Sequence, residues 1–230
     1  ISSAASDVYK RQIYGNLLPE ICEELSCPSV PVVAVATHDT ASAVFSCPAK
    51  EKDFVYISCG TWSLFGTELG KPIMSEKAIA ANFTNEGGYD RRFRYLKNIM
   101  GLWMIQSIRR ELSGLCYVAG REERSDTGRE WTFPDLIAAA AEAEGFPSVV
   151  NANDERFLAP VCMAEAVKSA CAESGQSVPG TVGELMQCVY RSLAECYRSA
   201  VEELRTLTGR AYTNINIVGG GCQDGYLNRL

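Results

Sequence analysis

The sequence predicts an α/β protein, and three observations carry that prediction. An unbroken apolar run, Pro31-Val-Val-Ala-Val-Ala36, has the character of a strand buried on both faces. A second strand, Asn214-Ile-Asn-Ile-Val218, turns through Gly219-Gly220-Gly221 into what reads as the start of a helix. Between them, Thr181 to about Thr206 has helical spacing, with Leu185, Val189, Leu193, Ala200, Val201 and Leu204 on one stripe. Thr181 and Glu184 form a capping box at its start, and Gly209 ends it.

The remaining elements follow in chain order. Residues 1–12 show no periodicity and read as non-native read-through, outside the fold. Residues 14–48 hold a short helical or loop stretch and then the first strand. The polar string Cys47-Pro-Ala-Lys-Glu-Lys52 marks a boundary near residue 50. Phe54–Ser58 is a strand that turns at Gly60-Thr61 into a second apolar piece, Leu64-Phe-Gly66, as a β-hairpin does. Phe93 and Tyr95 alternate with Arg92 and Arg94, which predicts a strand with a solvated basic face. A helix is expected from about Ile99 to Leu112, with Leu102, Ile105, Ile108 and Leu112 on its apolar stripe and Gln106 at the edge. Residues 117–130 read as a charged loop, and 134–144 as an alanine-rich helix.

Composition narrows the function. The chain has 230 residues, 47% hydrophobic and 22% charged, as a globular protein does, and no apolar stretch approaches the length of a membrane span. A net charge of −6 argues against a nucleic-acid surface. The 10 cysteines form no CxxC pair, and a single histidine cannot complete a zinc array; they read as free thiols in a reducing cytoplasm. The chain stops inside an expected helix, Asp224-Gly-Tyr-Leu-Asn-Arg-Leu230, as a fragment does.

The chemistry concentrates at the strand ends. Asp39 lies at the carboxyl end of the first apolar run, in Ala36-Thr-His-Asp-Thr40, where open α/β sheets place their ligands. It could serve a reaction, or Asp39 or Thr40 could simply cap the following helix. The triple glycine lets backbone approach an anion or nucleotide closely, though tight packing also demands glycine. Neither a dinucleotide fingerprint nor a Walker loop is present. Gly60-Thr61 offers a second turn with a backbone N–H and a hydroxyl. Two such turns flanking a phosphate chain, with a carboxylate facing the acceptor, suit phosphoryl transfer.

Ala36-Thr-His-Asp-Thr-Ala41, Gly60-Thr-Trp-Ser-Leu64, Asn85-Glu-Gly-Gly88, Leu96-Lys-Asn-Ile-Met-Gly-Leu-Trp103 and Val218-Gly-Gly-Gly-Cys-Gln223, in this order, resemble the FGGY family of carbohydrate kinases. The resemblance implies an actin-like (ribonuclease H-like) ATPase fold, a mixed sheet flanked by helices, here incomplete. It further implies that residues 13–50 end an amino-terminal sugar-binding domain and 51–230 form a truncated carboxyl-terminal nucleotide-binding domain. Asp39 is similar to the family's catalytic base, which deprotonates the C1 hydroxyl of a ketose. His38, Thr40 and Asn98 would line the sugar site. Thr61, Gln106 and Gly220 would contact the nucleotide, with ATP and Mg2+ as cofactors. The implied partners are a small-molecule sugar and a nucleotide, with no nucleic acid and no membrane. The family's amino-terminal phosphate loop is absent, so little kinase activity is expected of this chain alone. Asp224 stands where the family tends to have Asn, which adds negative charge near the nucleotide. A non-catalytic actin-like module is the alternative from another class.

Overall fold

The computed structural model describes residues 13–33, 39–51, 53–88, 91–118, 121–124 and 129–230, with the backbone alone at 39, 115–118 and 121–124. The readings made for 1–12 and for His38 lie outside the described residues.

β1 (Ile13–Asn16) pairs antiparallel with β2 (Pro31–Val33) across α1 (Pro19–Glu24). The predicted doubly buried strand is not buried where it is described: Pro31, Val32 and Val33 are exposed. The physical reason is the absence of covering layers among the described residues. β1 is the one partner of β2, and α1 buries none of its own residues. α2 (Asp39–Phe45) follows, and its Val44 packs with Phe54, Tyr56 and Leu96.

The central sheet has five strands. β3 (Val55–Cys59) and β4 (Trp62–Leu69) form the expected hairpin, with Cys59 opposite Ser63. β5 (Thr84–Gly87), β6 (Phe93–Met100) and β9 (Ile215–Val218) complete the order β5-β6-β4-β3-β9. β9 runs parallel to β3 while the other pairs are antiparallel, so the sheet is mixed as expected. Between these strands lie α3 (Glu76–Ala80), α4 (Trp103–Leu112), α5 (Phe133–Glu142), α6 (Met163–Glu173) and α7 (Val182–Thr208). A small hairpin, β7 (Leu115–Val118) with β8 (Arg121–Arg124), replaces part of the loop expected over 117–130.

Strand alternation gives the sheet two different faces. Val55, Ile57, Cys59, Phe65, Tyr95 and Ile99 meet Ala78 of α3 and Ala200 and Leu204 of α7. On the opposite face Tyr56 and Leu96 meet α2. A second core lies beside the sheet, where Ile105 and Ile108 of α4, Leu136 of α5, Val167 of α6 and Leu185, Val189 and Leu193 of α7 interlock. The capping box at Thr181 forms, and Gly209 closes α7 in the left-handed conformation at φ 66°.

Three further features differ from expectation. The helix expected from Ile99 begins only at Trp103, because Ile99 and Met100 complete β6 by pairing with Ser63 and Trp62. Asn98 is therefore a strand residue, opposite Leu64, and caps no helix. Arg94, expected on a solvated face, is 1% exposed. β5 places Glu86 directly opposite it, and Arg94 donates from Nη2 to Glu86 at 2.8 Å and from Nε to the Gly87 carbonyl at 3.2 Å. Finally, the helix expected after the glycines is a short 3-10 turn, Gly220–Gln223.

Candidate phosphoryl-transfer site

The parallel pairing of Ser58 with Val218 brings the carboxyl ends of β3 and β9 together, and with them the two turns singled out in the sequence. The β3–β4 turn is tied to the start of α4. Leu102 N donates to the Gly60 carbonyl and Trp103 N to the Thr61 carbonyl, both at 3.0 Å. Gln106 sits one turn further, its N–H bonded to Leu102 at 2.8 Å. Asn98 lies on the neighbouring strand, two residues before Met100, the partner of Trp62. Thr61, Asn98, Gln106 and Gly220 thus belong to one end of the sheet.

The three glycines divide into two kinds. Gly219 has φ +86°, and a Cβ there would lie 2.7 Å from the Cys59 carbonyl oxygen. A Cβ on Gly221 would lie 2.1 Å from the Cys59 sulfur. Packing of the turn against β3 explains both. At Gly220 a Cβ would meet nothing within 4 Å, and the residue is exposed. The middle glycine is therefore the one whose place the chain's own packing does not account for.

The polar side chains at this end are left unused by the fold. The Thr61 hydroxyl and the Asn98 and Gln106 amides make no hydrogen bond among the described residues. Elsewhere half-buried Asn85 grips both backbone groups of Ile73 at 3.0 and 2.8 Å, and buried Gln187 bridges the Glu144 carbonyl and the Tyr226 hydroxyl. Thr61 and Asn98 are exposed and Gln106 is half-buried, so water satisfies them and a ligand can reach them.

Asp224 is not one of these free groups. Its Oδ2 accepts from the Tyr190 hydroxyl at 2.9 Å and its Oδ1 from the N–H groups of Tyr226 and Leu227 at 3.1 and 3.0 Å. The carboxylate anchors the segment after the glycines to α7, so the charge expected beside the nucleotide is spent on structure. Burial, with Asp224 adding to it, pushes the Tyr190 phenol above its ordinary range and keeps it a donor. Beneath the turn, Ser63 Oγ and Tyr197 Oη lie 2.6 Å apart and join β4 to α7, and burial raises both Cys59 and Tyr197. Sequence reading missed these clasps, because no spacing rule links Tyr190 to Asp224 or Ser63 to Tyr197.

The reading of Asp39 concerns a side chain outside the described residues. Its backbone begins α2, the helix that packs on the sheet face bearing Leu96. Two positions along β6 on that face is Asn98. Thr40 is buried within α2. Among the described residues no three His, Cys, Asp or Glu side chains gather as a metal site.

Comparison with known proteins identifies the family. Residues 55–230 match the carboxyl-terminal domain of the FGGY family of carbohydrate kinases. The chain is 43% identical over 210 residues to a rhamnulokinase of Enterobacter sp. (strain 638), covering 89% of this chain and 39% of that protein. It is 42% identical over 218 residues to a rhamnulokinase of Oceanobacillus iheyensis, covering 95% of this chain and 43% of that protein. The chain thus spans about two fifths of the length of these relatives. In fold it is similar to the crystal structure of a xylulose kinase from Rhodospirillum rubrum, with TM-score 0.61 at 13% identity, covering 95% of this chain and 41% of that one. The actin-like architecture is shared with that structure, and the chain belongs to the FGGY family of carbohydrate kinases.

Proposed function

We propose that this chain carries the nucleotide side and part of the sugar side of a kinase that converts L-rhamnulose and ATP into L-rhamnulose 1-phosphate and ADP. Asp39 accepts the proton of the sugar's C1 hydroxyl. As that oxygen bonds to the terminal phosphorus, the bond from phosphorus to the bridging oxygen breaks and ADP departs. His38, Thr40 and Asn98 hold the sugar. The Thr61 hydroxyl meets a phosphate oxygen, Gln106 the nucleotide, and the Gly220 backbone the adenosine side. The likeness to rhamnulokinases supports the choice of sugar. One observation carries the reading: Thr61, Asn98, Gln106 and Gly220 share one end of the sheet, and among the described residues the Thr61, Asn98 and Gln106 side chains make no hydrogen bond while the space beside Gly220 is open.

In this reading the protein mostly positions groups, and Mg2+ neutralises phosphate charge when the nucleotide is bound. Residues 13–50 then belong to the sugar-binding domain and 51–230 to the nucleotide-binding domain. The chain alone turns over little.

The test measures ADP release by the intact enzyme with a panel of ketoses, including L-rhamnulose and L-fuculose. L-rhamnulose should be the preferred acceptor, and a preference for L-fuculose would replace the sugar while keeping the chemistry. Asp39→Asn should lower kcat by at least ~100-fold with nucleotide affinity retained. A variant with full rate would leave only a nucleotide-binding module.

A further inference from the structure

Trp62 stands out on the site-facing side of the sheet. It follows Thr61 directly, and its side chain is 45% exposed. The other tryptophans are engaged. The Trp103 Nε1 donates to the Phe157 carbonyl at 3.1 Å, and Trp131 packs against the helical core with Arg129 4.9 Å from its ring centre. The Trp62 indole makes no hydrogen bond and no ring contact among the described residues.

Register fixes what shares its face. Trp62 is opposite Met100 and Leu64 is opposite Asn98, so alternation puts Trp62, Leu64 and Asn98 on one side of β4 and β6. This is the side on which Leu96 packs with Val44 of α2, the helix that Asp39 begins. Along it the surface changes from buried Leu96 through half-buried Leu64 to exposed Asn98 and Trp62. Trp62 and Asn98 are diagonal neighbours, roughly 7–8 Å apart in such a register, within reach of one small molecule.

An aromatic plane beside a free amide is suited to a molecule with one apolar and one hydroxylated side. We infer that Trp62 is the residue of this chain that recognises the apolar side of the ketose, its C–H face and the methyl at C6, while Asn98 takes hydroxyls. The inference rests on the kinase reading above and adds to it the group that favours a deoxysugar. An indole gains from covering a methyl, whereas a hydroxyl set against it forfeits its water.

Calorimetric titration of the intact enzyme and its variants with L-rhamnulose, with L-fructose (which carries a hydroxyl at C6) and, separately, with ADP tests it. The parent should bind L-rhamnulose more tightly than L-fructose. Trp62→Ala should weaken L-rhamnulose by roughly tenfold, abolish the preference and leave ADP binding unchanged. Should the alanine variant not fold, Trp62→Phe serves: sugar-dependent quenching of tryptophan emission in the parent should disappear in it while L-rhamnulose binding largely persists. A preference that survives in Trp62→Ala, or quenching that survives in Trp62→Phe, overturns the inference. ADP binding without any L-rhamnulose binding overturns it while leaving the nucleotide role intact. Failure to bind both sugar and ADP removes the kinase reading itself.

Discussion

At Gly220 and Gly221 the same substitution should have opposite consequences. A methyl at Gly221 collides with the Cys59 sulfur, so Gly221→Ala is expected to cost about 1–3 kcal/mol of stability. Gly220→Ala meets open space and should leave stability within about 0.5 kcal/mol while weakening ADP binding. Urea unfolding of both variants, with an ADP titration of Gly220→Ala, separates packing from ligand contact. If Gly220→Ala binds ADP as the parent does, the adenosine-side role of Gly220 is lost. The triple glycine was legible in the sequence as a close approach of backbone to something. Which glycine faces the protein and which faces outward depends on Cys59, 160 residues upstream of Gly219 in a different strand. Arg94 was misread for a similar reason, since alternation shows that it points away from Tyr95 but not that Glu86 waits opposite. Its Nη1 is buried without a hydrogen bond. Arg94→Ala, which opens a void where a buried side chain packed, should cost about 2–3 kcal/mol in the same unfolding assay.

Elements that carry their own end signals were the legible ones. α7 starts and stops where Thr181, Glu184 and Gly209 place it, with both halves of the capping box formed. Thr181→Ala should lower stability by about 1 kcal/mol, read as a shift in urea midpoint. α6 shows the opposite case. Its start has no side-chain cap of its own and is held by Glu111 of α4, which accepts from the N–H groups of Met163 and Ala164. Removing the carboxylate leaves those donors open, and Glu111→Ala is expected to cost about 1–2 kcal/mol. A partner some fifty residues away leaves no local trace in sequence. The β6–α4 boundary was misplaced because Ile99 and Met100 suit either element, and only pairing with β4 decides.

Over the whole molecule the mixed sheet and its helical neighbours were legible from strand and helix patterns joined to the motif resemblance. The exposure of β2 was not, because an apolar run says nothing about which layers exist to cover it. Thiol burial gives a prediction on this scale. Burial pushes Cys188 up to about 12 and raises Cys59, Cys171 and Cys196 from the usual 9.0. Below about pH 9 these groups are protonated in both the folded and the unfolded chain, and their contribution is fully retained. As pH rises from about 9 towards 12 the unfolded chain ionises first, so stability should decline. Urea midpoints at pH 7.5 and 10 measure this, and an unchanged midpoint contradicts it. Iodoacetamide at neutral pH should label exposed Cys222 first and Cys188 only when the chain unfolds.

α7 takes part in both cores: its first half is buried with α4, α5 and α6, and its last turns lie against the sheet. At 1.5 Å per residue its 27 residues extend roughly 40 Å. Such a girder leaves the helical and sheet halves no independent route to melting. Amide protons in β3 and in α5 should therefore exchange through one shared opening, at a single free energy, although no hydrogen bond joins the two segments directly.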